Sequence, residues 1–377
     1  MENTKTEQKG GISSKDLSTN EKAQYYDMIV FCHLRWQFVY QRPQHIISRL
    51  SKNLKILFIE EPVGFSPEEE YTAIVNEITP QLHILQPKVQ HINDITKLLP
   101  TYVSNSEVSI GWFYSAAFSP LLATNLFDTV IYDCMDELSL FKGAPQELID
   151  QEKYLMSKAD IVFTGGKSLY ESKKLMHDAA YCFPSSVDEA HFAQALNGIA
   201  VPEDIATIQS PIVGYYGVID ERIDLELLRS CAEKSPEVSF VMIGPLAKIQ
   251  DHELPRSKNI HYLGMKSYEE LPGYLKAFDI AMMPFALNDA TKFISPTKTL
   301  EYMAAGKPII STKIKDVVRD YSECVYLIET ADEFCDAITK ATSEPLKTKE
   351  YREILLNTSW DATVAKMSSL IKTSTTI

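Results

Sequence analysis

The chain has 377 residues, 45% of them hydrophobic and 23% charged, enough apolar material for about two domain cores and ordinary for a globular protein. Its net charge of −14 disfavours a nucleic-acid backbone as main partner and disfavours adhesion to anionic membranes by bulk charge. The six cysteines form no C-x-x-C pair, which argues against a zinc or dithiol site and for reduced thiols in a cytoplasm.

Residues 1–26 are polar, without the apolar stretch of a signal peptide, and read as a tail. From Asp27 short apolar runs alternate with helical periodicity. Strands are expected at Met28–Phe31, Ile56–Ile59, Leu82–Leu85, Val108–Phe113, Val130–Tyr132 and Ile161–Phe163. A helix opens at Pro43, proline being suited to a first helical position. The rhythm weakens over residues 197–210, a linker candidate. It restarts with strands at Pro211–Gly217, Val238–Ile243, Ile260–Leu263, Ile280–Met283 and Ile309–Ser311. Ser267–Glu270 and Thr330–Glu333 each read as a capping box before a helix. Continuous apolar strands between helices indicate parallel sheets covered on both faces. Two such α/β units place a ligand cleft at the carboxyl ends of their strands.

No G-x-G-x-x-G or G-x-x-x-x-G-K-[ST] occurs, so the common glycine-rich phosphate cradles are absent. The most informative segment is Phe293–Thr312, FISPTKTLEYMAAGKPIIST. Ser295 is placed to cap a helix that begins at Pro296, whose first-turn amides favour an anion. Lys298 adds positive charge, Glu301 offers a carboxylate to a ribose diol, and Gly306 ends the helix. The plain alternative is a capped helix with Glu301 in solvent. Elsewhere, His33 and Arg35 follow the first strand beside Trp36, and either could bind an acceptor or a diphosphate. Asp133, Asp136 and Glu137 follow another strand and could supply a general base, or simply cap the next turn. Gly165 and Gly166 open a helix and allow close backbone approach.

The Phe293–Thr312 segment resembles the donor-binding motif of GT-B glycosyltransferases of the retaining family 4 (group 1) type. Gly214–Arg222, Phe240–Pro245 and Ile260–Pro272 resemble other parts of that donor domain. The whole chain is similar to bacterial proteins that build cell-surface polysaccharides of the teichuronic-acid kind. The resemblance implies a GT-B fold, two Rossmann-like parallel-sheet domains facing a cleft. The acceptor-side domain would span residues 27–205, the nucleotide-sugar domain 206–355, and a helix in 356–377 would cross back to the first.

It also implies roles. Glu301 would hold the ribose hydroxyls. Ser295, Thr297, Lys298 and Gly217 would surround the diphosphate, with Arg222 or Lys248 as further cations, and Lys266 and Ser267 would meet the base. His33, Asp133 and Asp136 are the catalytic candidates, and Arg35 and Trp36 are acceptor-side. Two positions depart from the pattern. Phe293 stands where an E-x7-E motif has its first Glu, and Val218 where the first donor-domain loop has Arg. The implied reaction moves a hexose-type sugar from a nucleotide sugar, UDP-linked by preference, to a hydroxyl of a glycan or lipid-linked acceptor, with retention. No metal or other cofactor is expected. The expected location is the cytoplasm, with peripheral contact at the inner membrane face. The alternatives are a nucleotide-sugar epimerase on the same architecture, or a weakened nucleotide-sugar-binding scaffold subunit.

Overall fold

In the computed structural model, residues 23–137, 140 and 145–374 are described. Most of the expected tail, residues 1–22, lies outside them. Its last residues do not behave as a tail. Gln24 bridges to Val103, and Tyr26 is buried with its hydroxyl 2.7 Å from His83 Nδ1.

The first domain is one eight-stranded sheet. Its strands are β1 (Met28–Cys32), β2 (Ile56–Glu60), β3 (Thr72–Thr79), β4 (Leu82–Lys88), β5 (Val108–Phe113), β6 (Phe127–Cys134), β7 (Ile161–Thr164) and β8 (Ala180–Cys182). They lie in the order β3-β4-β2-β1-β5-β6-β7-β8, parallel except for β3, which runs antiparallel along the edge beside β4. The apolar-run rule misses β3 because its mixed sequence TAIVNEIT is half-exposed. Alternation along β1 sends Ile29 and Phe31 into one core layer and Met28 and Val30 into the other. The sheet is therefore buried on both faces, as helix-covered parallel sheets must be.

The second domain has β9 (Ile212–Tyr216), β10 (Ser239–Ile243), β11 (Ile260–Tyr262), β12 (Ile280–Met283), β13 (Ile309–Thr312) and β14 (Tyr326–Ile328). Its order is β11-β10-β9-β12-β13-β14, all parallel. In chain-order terms this is 3-2-1-4-5-6, the doubly wound arrangement whose order reverses beside the first strand. The cleft opens beside that strand.

The last helix, Trp360–Ser374, leaves the second domain and packs on the first. Trp360, Val364, Met367 and Ile371 join the core layer of Met28 and Val30. Trp360 stacks on His45, with ring centroids 4.7 Å apart and planes 11° apart. Substituting Trp360→Ala is expected to cost about 3–5 kcal/mol, the range for emptying a large buried aromatic site. Urea unfolding followed by circular dichroism measures this, and a loss below about 1 kcal/mol would mean that the helix is not anchored there.

Candidate active site between the two sheets

A cleft of about 350 Å³ lies between the domains. That is within the usual range for small-ligand sites. From the first domain it is lined by His33, Phe38, Tyr40, Arg42 and Asp136, among others. From the second it is lined by Tyr216, Gly217, Arg222, Lys248, Tyr268, Ser295, Thr297, Lys298 and Glu301.

The floor on the second-domain side is backbone. Gly217 ends β9 with φ 138°, and Gly244 ends β10 with φ 145°, both in the region glycine favours. A Cβ on Gly244 would lie 1.9 Å from the Gly217 carbonyl oxygen. A Cβ on Gly217 would lie 2.4 Å from Lys298 Cε. The two glycines let the strand ends touch and leave room for the lysine. The Lys298 ammonium sits 5.7 Å from the centre of the Tyr215 ring. Among the described residues it has no hydrogen bond or salt bridge. Burial lowers its pKa, against the nearby Glu301 charge.

The helix carrying Lys298 runs from Lys298 to Ala304, so it begins two residues later than expected. Ser295 does not cap it. Thr297 is the N-cap, in helical conformation and without a side-chain bond. Glu301 is buried one turn on. The Tyr216 hydroxyl donates to its Oε2 at 2.5 Å, and burial pushes its carboxyl above the ordinary carboxylate range. Lys298 and Glu301 thus face one cleft from successive turns, beside an open backbone loop.

Arg222 lines the same cleft but is engaged by Asp220, which takes both its Nε and its Nη2 at 2.7–3.1 Å. Lys248 is at the rim, 3.7 Å from Glu221.

Residues 211–344 match the family described as "Glycosyl transferases group 1". The second domain is a group 1 glycosyltransferase domain. Over 252 residues the chain is 24% identical to "Putative teichuronic acid biosynthesis glycosyltransferase TuaH" of Bacillus subtilis (strain 168). That match covers 62% of this chain and 63% of the relative, so the chain spans less than two thirds of the relative's length. Among solved structures, a sucrose-phosphate synthase from Thermosynechococcus elongatus superposes with a TM-score of 0.70 at 14% identity, covering 92% of this chain and 98% of that one. An E. coli trehalose-6-phosphate structure "bound with UDP-2-fluoro glucose" gives 0.66 at 11% identity, covering 93% and 99%. The overall fold is GT-B.

Around the group 1 domain, several expected site residues are placed elsewhere. Asp133 does not reach the cleft. It is fully buried beneath it and accepts from Arg42 Nε and Nη2 at 2.9–3.2 Å. Arg42 also donates to the Phe183 carbonyl at 2.7 Å. Asp133 therefore braces Arg42, and Asp136, three residues further on and past the end of β6, is the first-domain acid that lines the cleft. Arg35 turns away to Glu60 and to the Glu61 and Pro62 carbonyls. The Trp36 ring packs edge-on to Phe58, and its backbone N–H donates to Glu60 Oε1. Neither Arg35 nor Trp36 lines the cleft.

Lys266 is held by Asp204 at 2.6 Å, and Ser267 serves the capping box with Glu270. Neither reaches the cleft, whereas the next residue, Tyr268, does. His33 does line it. Its Nδ1 is buried without a partner, and burial, followed by Asp136 raising and Lys248 lowering, leaves its pKa below the ordinary value. Among the described residues no three His, Cys, Asp or Glu side chains gather as a metal-ligand group, and no helix is long and apolar enough to cross a membrane.

Phe293, at the position of the missing acid, packs against the first-domain core layer. Sequence reasoning alone did not find Tyr40, Tyr216 and Tyr268 as cleft residues. Aromatic residues at strand ends and loop starts look the same in sequence whether they fill a core or face a ligand.

The two acids are expected to separate by stability. Asp133→Asn strands the buried Arg42 charge and should cost about 3–5 kcal/mol. Asp136→Asn should stay within about 0.5 kcal/mol of the parent. Chemical denaturation of both variants checks this, and equal losses would contradict the placement of the two acids.

Proposed function

We propose that the protein is a glycosyltransferase that moves a sugar from a nucleotide-sugar donor to an acceptor hydroxyl. The observation that carries this is the pair Lys298 and Glu301, one helical turn apart on the cleft beside the open backbone of Gly217. The ammonium suits a diphosphate and the carboxylate suits a ribose diol. Thr297, Ser295 and Arg222 border the same space. Lys248 adds charge at the rim.

In the proposed reaction the bond from the sugar's anomeric carbon to the diphosphate oxygen breaks, and a bond to the acceptor oxygen forms. The acceptor proton passes to the leaving diphosphate. Lys298 stabilises the charge that grows on that leaving group, the largest contribution such sites usually make. Asp136 and His33, on the opposite wall, orient the acceptor hydroxyl. Retention of configuration follows from the family resemblance, and no metal is invoked.

UDP is the favoured donor nucleotide. A glycan or lipid-linked acceptor fits the resemblance to polysaccharide-building proteins, as does work in the cytoplasm at the inner membrane face. Among the described residues the cleft lining holds one histidine, His33, which favours transfer over epimerisation. A binding-only scaffold is the second reading. Phe293 in place of an acid and Asp220 occupying Arg222 speak for it, and sugar transfer by the purified protein would exclude it.

A thermal-shift panel with UDP, GDP, ADP, CMP and dTDP tests the donor. One nucleotide should stabilise the protein, by about 2.7 kcal/mol at 100 times its dissociation constant. Glu301→Ala should weaken that nucleotide by about tenfold or more, the scale of a hydrogen bond to a charged group. No shift with any nucleotide would sink the proposal.

The binding should also depend on pH. Glu301 must be ionised and Lys298 protonated. The carboxyl is raised above 4.5 and the ammonium lowered from 10.5. Affinity should therefore fall on acidification while still above pH 4.5, and fall on alkalinisation before pH 10.5. Isothermal titration across pH checks both limbs, and Glu301→Gln should lack the acid limb.

A further inference from the structure

Two cleft-lining residues carry a buried polar atom with no hydrogen-bond partner, His33 Nδ1 and the Tyr268 hydroxyl. Buried hydroxyls are nearly always paired, so an orphan in a ligand cleft calls for an explanation. The Tyr268 ring cannot easily turn to find a partner. Tyr40 of the first domain stacks on one face at 4.5 Å, and His191 stacks at 4.1 Å with planes 8° apart. His45 and Phe192 meet the ring edge-on at 5.5 and 5.6 Å. His191 Nε2 is also 2.9 Å from the Tyr268 carbonyl oxygen. The hydroxyl is thus held in one place by aromatic rings on several sides.

Tyr268 and Glu301 line the same cleft, and Phe192, edge-on to Tyr268, stacks on Tyr216, the tyrosine that donates to Glu301. Burial raises the Tyr268 pKa, and the Glu301 charge is the foremost of the charges acting on it. Tyr216 donates to Glu301 Oε2, and Oε1 accepts no hydrogen bond among the described residues. The two groups are chemically complementary to one alcohol. An ionised carboxylate only accepts, whereas a phenol can donate. A hydroxyl placed between them would donate to Glu301 and accept from Tyr268.

We propose that Tyr268 is a ribose-specificity residue: its hydroxyl donates to the ribose hydroxyl that Glu301 accepts from, and Tyr40 and His191 hold it in position. This rests on the nucleotide-sugar reading and adds to it a sugar-selecting contact at the residue after Lys266 and Ser267, the pair expected to meet the base. A site built to pair a substrate hydroxyl discriminates strongly against the analogue that lacks it. The stack also crosses the domain boundary, so the contact is fully formed only with the domains together.

The experiment is calorimetric titration of the full chain with UDP, GDP and ADP, each against its 2′-deoxy and 3′-deoxy counterparts. The parent should prefer at least one ribonucleotide over a deoxy form by about tenfold. Tyr268→Phe should weaken the ribonucleotide about fivefold or more and leave the deoxy form nearly unchanged, so that the ratio contracts. Tyr40→Ala keeps the hydroxyl and removes its brace, and should contract the same ratio. It decides the matter if Tyr268→Phe does not fold, as judged by melting without nucleotide. A parent that binds nucleotides without discriminating, or variants that keep the parent ratio, overturn the proposal while leaving the donor reading intact. Failure of the parent to bind any of these nucleotides overturns both.

Discussion

Asp316, from the second domain, is buried against the start of the first-domain helix Lys167–Lys173, where the Ser168 N–H and hydroxyl both donate to its carboxylate. A carboxylate at a helix N-terminus pairs amides that would otherwise be orphaned and complements the helix dipole. Here the cap comes from another domain, so it is also a docking contact. Around it lie the ion pairs Lys167–Asp320, Lys315–Glu171 and Arg319–Glu171. Those are exposed and contribute little individually. The buried cap and the returning helix at Trp360 are the contacts that bring the two sheet ends together. The facing of the two cleft walls depends on that docking.

The same contact explains the Gly165-Gly166 pair. A Cβ at Gly166 would lie 2.9 Å from both Asp316 Oδ2 and Ser295 Cβ. The glycine therefore admits the second domain rather than a ligand. Ser295, expected as a helix cap, is part of this seam, and its carbonyl accepts from the Ser185 hydroxyl at 3.4 Å. Phe293 belongs to it as well. Its aromatic side chain packs on the neighbouring domain, at the position where the resemblance implies a first Glu.

Charge in the cleft is distributed in a similar way. By sequence, Arg35, Arg222, Lys248 and Lys298 are the candidate cations for a phosphate. In the structure Arg35 is spent on Glu60, Arg42 on Asp133 and Arg222 on Asp220. These pairs are local or buried, and an arginine with a bidentate partner offers little to a ligand. Lys298 differs because it rests on the Tyr215 ring instead of an acid. An ammonium over an aromatic face keeps its charge without having it neutralised.

The sequence by itself determined the architecture and the Lys298–Glu301 pair. Continuous apolar strands between helices can be buried only as covered parallel sheets, and residues three apart on a helix share a face whatever surrounds them. Local rules of this kind need no knowledge of distant partners. They missed β3, whose edge position lets it mix polar and apolar residues. They also put Asp133 in the cleft, although only the approach of Arg42, 91 residues away in the chain, decides that it is buried. Tyr268 is the same case in reverse. Its neighbours Tyr40, His45 and His191 come from distant segments, and only their convergence fixes its ring in the cleft that Glu301 lines. Side-chain direction at a strand end or loop start depends on what packs against it, and the tertiary structure alone decided that.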